Sequence, residues 1–298
     1  MPTLPRSSRL ASPVDTTAHG EYRITTRPGD PRPLYRFTGH VPDDPRPGRY
    51  HIYAGWFCPW SQRVTIAHAL AGLRDVVSVS YVDNVRDGRG WAFRERYGPD
   101  PVNGFTLLRQ AYEATEEGFD GHVSVPALWD RATGRVLSND FKGIGIDLAT
   151  RFRGVAEPVV DTYPQEHREE IEQLDDWLNP AVNRGVHLAA RPGPEGEAAR
   201  TALHDALLTL DERLATRRYL LGPAITEADI RLYVTLVRYG AAITGYPNLW
   251  AYARDLYTVP AFRDTTDFTT FTPPGTELPD WNEPAARPEV SAVRPGAG

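Results

Sequence analysis

Tyr50-His51-Ile52-Tyr53-Ala54 followed by Gly55-Trp56-Phe57-Cys58-Pro59-Trp60-Ser61-Gln62-Arg63 is the stretch that decides the architecture. Five residues rich in aromatic and β-branched side chains read as a strand, and the Gly turns the chain out of it. Pro59 then opens a helix running to about Leu70 and closed by Gly72, because a proline at the first helical position gives up an amide that had no partner there. Val76 to Val82 reads as a second strand, with Val77, Val79 and Tyr81 on one face. A strand, a helix and a strand within so few residues make a parallel crossover unit.

Beyond it, a short helix is expected around Arg109–Ala114. Two short strands, Ala127–Trp129 and Val136–Leu137, flank a five-residue turn and should pair antiparallel. A helix from about Asn139 to Ala149 completes the β-α-β, β-β-α order of a thioredoxin-like half. A hairpin of Glu21–Thr25 with Tyr35–Thr38 is expected before it. From about residue 151 the pattern becomes helical. Ile171, Leu174 and Leu178 recur at steps of three and four, as do Leu203, Leu207, Leu210 and Leu214 on what should be an antiparallel neighbour. Apolar residues all round Ala228–Val237 place that helix in the middle of its domain, and Thr226 with Asp229 reads as its capping box. The acidic residues Glu166, Glu169, Glu170, Glu172, Asp175 and Asp176 read as the wet face of their helix. The expected organisation is an α/β fold in four parts. A Pro-rich arm covers 1–48, a thioredoxin-like thiol-binding domain 49–150, an all-α domain 151–272 and a tail 273–298.

The 298 residues carry 33 Lys and Arg against 39 Asp and Glu, a net charge of −6. An acidic chain without a basic run is a poor binder of nucleic acid or anionic lipid. No apolar stretch is long enough for a membrane span, and residues 1–20 lack the apolar core of a secretory signal, so the cytoplasm is the default expectation. Thirty-two of the basic residues are Arg and one, Lys142, is Lys, a bias that suits a G+C-rich coding sequence. The histidines show no metal spacing, and Gly143-Ile144-Gly145 lacks the rest of a dinucleotide loop.

Cys58 is the single cysteine. Lying just before Pro59, its sulfur should sit beside first-turn amides, where the helix dipole favours an anion and a thiolate is the nucleophile. With no second cysteine a dithiol mechanism is excluded, and a mixed disulfide on Cys58 must be released by an external thiol.

The segment Cys58-Pro59-Trp60-Ser61-Gln62-Arg63 resembles the Cys-Pro-Trp-Ala-His-Arg segment of the glutathionyl-hydroquinone reductases, the xi class of glutathione transferases. The likeness continues through Gly90-Trp91-Ala92-Phe93, Val123-Ser124-Val125-Pro126-Ala127-Leu128-Trp129-Asp130, Asn183-Arg184-Gly185-Val186, Thr226-Glu227-Ala228-Asp229 and Tyr246-Pro247-Asn248-Leu249-Trp250. It implies a thioredoxin-like N-terminal domain and an all-α C-terminal one. It implies that Cys58 attacks the sulfur of a thiol–hydroquinone conjugate. Pro126 would be the cis-proline, Val125 would pair its backbone with the thiol like an added strand, and Trp91 would pack on the thiol. His187 and Tyr239 would line the second-substrate pocket, with His187 either shuttling a proton or serving as an ordinary helical histidine. No bound cofactor or metal is implied: glutathione or another small thiol enters as co-substrate, the partner is an electrophile or quinone conjugate, and a homodimer is left open.

The chain departs from the family at several positions. Where the family has Asn-Glu-Ser-Ser, it has Asn139-Asp140-Phe141-Lys142, keeping a carboxylate for the thiol at Asp140 but losing a hydroxyl at Phe141. His187 replaces a Tyr, the Phe-Lys-Cys-Asn stretch after the central helix is missing, and Thr270-Phe271-Thr272 replaces His-Tyr-Tyr. Mycothiol, a sugar-linked cysteine, is therefore weighed beside glutathione. Two further readings stay open: a conjugating transferase in which Cys58 only stabilises a bound thiolate, and a non-catalytic binding protein on the same fold.

Overall fold

A computed structural model describes residues 9–24, 32–43 and 45–283. Backbone contacts divide the chain into two units, Met1–Val159 and Val160–Gly298.

In the first unit, β1 (Tyr50–Ala54) leads through α2 (Pro59–Leu70) to β2 (Ser78–Tyr81); α1 is a single turn at Thr16–His19. After α3 (Arg109–Thr115) come β3 (Ala127–Asp130), β4 (Arg135–Ser138) and α4 (Phe141–Thr150). The four strands lie in the order β2-β1-β3-β4. β1 pairs parallel with β2, Ile52 opposite Val79, and antiparallel with β3, Ile52 opposite Leu128. β2 starts later than expected because the amides of Val76 and Val77 both donate to the Leu73 carbonyl, which keeps those residues in the turn after α2. Gly72 in that turn has φ 70°, and an added Cβ would lie 2.3 Å from the Glu157 carbonyl oxygen, so only glycine fits.

Every residue of β1 is buried, as befits a central strand. Its alternation separates two cores. Tyr50, Ile52 and Ala54 meet Val64 of α2 and Ile144 and Leu148 of α4. Tyr53 faces the other way, with Trp91, Phe93, Ala111, Tyr112, Trp129 and Cys58. Residues 151–159 fold back on this unit, the Val159 amide donating to the Leu70 carbonyl. The hairpin expected near the N-terminus reaches Thr25, outside the described residues. Of its second half, Thr38 instead bridges Ser138, and the Gly39 amide donates to the Leu137 carbonyl. The edge of β4, which would otherwise leave its backbone groups unpaired, takes this part of the arm as its partner.

The second unit is helical: α5 (Arg168–Leu178), α6 (Gly185–Ala189), α7 (Pro194–Leu214), α8 (Glu227–Leu236), α9 (Pro247–Thr258) and α10 (Pro260–Arg263). All ten residues of α8 are buried and the Thr226–Asp229 capping box is formed. The pairing expected of α5 with the Leu203–Leu214 helix is corrected: α5 packs on α8, while α7 packs mainly on α6 and α9. The acidic face of α5 is corrected too. Asp175 is buried, and Glu172 and Asp175 lie 3.0 and 3.4 Å from the guanidinium of the fully buried Arg231, with Glu227 at 3.5 Å. A buried cation recruits whatever carboxylates reach it. Among the described residues no helix is long and apolar enough to cross a membrane.

Candidate active site

Cys58 is the N-cap of α2, in extended conformation, with Pro59 at the first helical position. The Cys58 amide donates to the Gly55 carbonyl and its own carbonyl accepts from Gln62, which closes the strand-to-helix turn. The Gly55 amide donates to Ser61 Oγ at 3.1 Å and ties the same turn from within. The cysteine side chain caps no amide of the helix. Its sulfur instead lies 3.5 Å from the Val125 carbonyl oxygen, and the residue is 8% exposed. The peptide bond between Val125 and Pro126 is cis.

Trp91 is brought beside this turn by the loop after β2. Phe57 stacks on its ring with centroids 4.3 Å apart, and the Arg86 guanidinium lies 4.1 Å over it. Cys58, Trp91, Val125 and Pro126 therefore gather at one end of the sheet, in the core that also holds Tyr53 and Tyr112. Asp140 is the N-cap of α4, and its two carboxylate oxygens accept from the amides of Lys142 and Gly143, each at 3.2 Å. Its charge is thus spent partly on its own helix, a cost of the short Asp arm. Phe141, where the family carries a hydroxyl, stacks on Trp60 with centroids 4.6 Å apart, and Arg63 lies over both rings.

His187 and Tyr239 belong to the second unit. His187 is exposed in the last turn of α6. Tyr239 is half-buried just past α8 and hydrogen-bonds to Tyr246, whose hydroxyl also meets His204 Nδ1 at 2.7 Å.

Three residues linked to the Trp91 ring carry no signal in the sequence. Arg86 comes from a loop without periodicity, Tyr22 from the N-terminal arm and His122 from the segment before Val125. Arg86 lies 3.8 Å over the Tyr22 ring as well as over Trp91. The Tyr22 hydroxyl and His122 Nδ1 are hydrogen-bonded at 2.9 Å. Burial, then the charge of Arg86, holds His122 below the ordinary histidine value, so it is neutral at neutral pH. Burial pushes the Tyr22 phenol up, with Arg86 and Arg109 pulling the other way.

A four-stranded mixed sheet with a cysteine capping α2, the helix that follows the first strand, and an all-helical second unit match the glutathione transferase architecture. The match to the family described as "Glutathione S-transferase, C-terminal domain" covers residues 165–255. The chain is 40% identical over 218 residues to glutathionyl-hydroquinone reductase PcpF of Sphingobium chlorophenolicum, covering 68% of this chain and 70% of that protein. A solved Xi-class glutathione transferase from Natrialba magadii superposes with a TM-score of 0.79 at 32% identity, over 84% of this chain and 88% of that one. The glutathione-bound structure of YqjG from Escherichia coli K-12 gives a TM-score of 0.76 at 29% identity, over 85% and 90%. The chain belongs to the Xi class of glutathione transferases, the glutathionyl-hydroquinone reductase family, and is a glutathione transferase-like enzyme.

Proposed function

We propose that this enzyme removes a small thiol reductively from quinone-like or other electrophile conjugates through a mixed disulfide on Cys58. The observation that carries the reading is the sulfur's placement at the start of α2, incompletely buried and beside the Val125 carbonyl. In the first step the Cys58 thiolate attacks the conjugate's sulfur. An S–S bond forms, the carbon–sulfur bond breaks, and the carbon takes its electron pair and a proton to leave as the hydroquinone. In the second step a free thiolate attacks the mixed disulfide, forming a small disulfide and restoring Cys58. Over the two steps one free thiol is consumed: its sulfur and the conjugate's sulfur each give up one electron to become the disulfide, the conjugate's carbon gains both, and the balance closes without a metal or a bound cofactor. Trp91, Val125, Pro126 and Asp140 are the residues proposed to hold the thiol within the first unit, and His187 and Tyr239 remain the helical unit's own candidates for meeting the acceptor.

The thiol is glutathione or mycothiol. Phe141 in place of a hydroxyl and the capping role of Asp140 both weaken the hold on a γ-glutamyl end, because an unpaired polar group of a bound ligand costs about 1–3 kcal/mol. A cytoplasmic setting, where small thiols are kept reduced, supplies the second step.

The test is mass spectrometry after adding glutathionyl- and mycothiyl-hydroquinone. An adduct of one thiol on Cys58, absent in Cys58→Ser, with turnover falling at least roughly a thousandfold in that variant, is the expected result. Turnover that survives Cys58→Ser would replace this reading with simple conjugation. Neither adduct nor thiol binding would leave a non-catalytic binding protein.

A further inference from the structure

The loop between β2 and α3 sets one arginine over Trp91, whose ring stacks on the residue before Cys58, and the arm clamps it there. We infer that Arg86, held between the rings of Tyr22 and Trp91, is a positioning residue whose fixed charge keeps the Cys58 sulfur ionised for attack. The inference rests on the reading of Cys58 as nucleophile, and it makes the N-terminal arm part of the site.

Four observations converge. The guanidinium lies 3.8 Å over Tyr22 and 4.1 Å over Trp91, and among the described residues it has no hydrogen-bond or ion-pair partner, so its charge is not neutralised by a carboxylate. Trp91 stacks on Phe57, the residue before Cys58, so the clamp is anchored to the nucleophile's own turn. Tyr22 is in turn fixed by His122, three residues before Val125, whose carbonyl meets the sulfur. Burial lowers the affinity of Arg86 for its proton, and the charges of Tyr22 and Cys58 raise it; the coupling is reciprocal, so Arg86 favours the thiolate as the thiolate favours Arg86.

The arm is well placed to hold this arrangement. The Ala11 amide donates to the Phe93 carbonyl, the Gly88 amide donates to the Gly20 carbonyl, and Arg89 reaches Ser12 Oγ at 2.6 Å and the Pro13 carbonyl at 2.9 Å. Among the described residues, the titratable and charged groups that act on Tyr22, His122 and Arg86 are one another, Cys58 on the turn before α2 and Arg109 on α3. His122 is neutral there, so among these groups the cations are Arg86 and Arg109, and Arg109 also has Glu113 at 3.7 Å to offset it.

The experiment measures Cys58 ionisation by thiolate absorbance, and its reactivity by iodoacetamide alkylation, against pH in the full chain, with Arg86→Gln, Arg86→Lys and Tyr22→Leu. In Arg86→Gln the thiolate fraction on the acid side of the titration should fall roughly tenfold. A sulfur that is harder to ionise is also intrinsically more reactive once ionised. Alkylation should therefore drop about threefold at low pH yet rise about threefold on the alkaline plateau, and the two profiles should cross. Arg86→Lys should restore most of the wild-type ionisation and Tyr22→Leu should lie between. General damage to the fold would slow alkylation or speed it at every pH and would not produce a crossing. A folded Arg86→Gln protein whose titration superimposes on the wild type overturns the inference. If the mixed disulfide on Cys58 still forms in that case, the proposed reaction stands and only the role of Arg86 is lost.

Discussion

At the scale of single residues, Phe141 is where this chain parts most clearly from its family. A hydroxyl at that position would donate to a charged ligand end, whereas the phenyl ring stacks on Trp60 under Arg63. Phe141→Ser should tighten glutathione binding roughly tenfold, since each polar partner regained returns about 1–3 kcal/mol. The same change should lower stability by about 0.5–1.5 kcal/mol through loss of the stack. Calorimetric titration with glutathione, beside a urea unfolding curve, reads both. If glutathione affinity is unchanged, position 141 does not touch the thiol. The identity of Asp140 gives a carboxylate, while the fold already directs two helix amides onto its oxygens.

The elements are held by charges that the chain has buried. α5 and α8 meet through Arg231, whose guanidinium is opposed by burial but held protonated above its ordinary value by Glu227, Asp175 and Glu172. Arg231→Met leaves Asp175 and Glu227 buried without their cation and should cost about 3–5 kcal/mol in a denaturant titration. A loss below roughly 1 kcal/mol would mean that those carboxylates find water or protons at little cost. In the loop that carries Arg86, the Arg89 side chain holds the Asp87 carboxyl well below the usual carboxylate range, against its desolvation and with help from the Asp15 amide. A depressed folded value means that the unfolded chain binds the proton first. The stability from Asp87 is therefore present above the ordinary value near 4 and lost as pH falls toward the folded value. Asp87→Asn should have a lower midpoint than wild type at neutral pH and a flatter acid limb, so thermal melts taken between about pH 5 and pH 2 should converge.

For the molecule as a whole, the true thiol should stabilise the folded chain by mass action, about 2.7 kcal/mol at a hundredfold excess over its dissociation constant. Thermal melts with glutathione and with mycothiol therefore rank the two, and equal, negligible shifts from both would argue that neither is the co-substrate. How much of this was legible beforehand follows from the range of the interactions. The β1–α2 turn could be read because proline at a helix start is a local signal, and α8 because Thr226 and Asp229 cap within one turn. The packing of α7 on α9, the pull of Arg231 on α5 and the clamp on Arg86 join residues far apart in the chain, and no periodicity encodes them. Shifts of a residue or two at β2 came from a turn whose amides chose Leu73 over the sheet. Lys142, two positions past the cap of α4, brings one more consequence. Because it is the single side-chain amine in the chain, an amine-reactive fluorophore would tag one side chain only, at the rim where the γ-glutamyl end of a thiol is expected, and once the α-amine is blocked it would report occupancy without any engineered label.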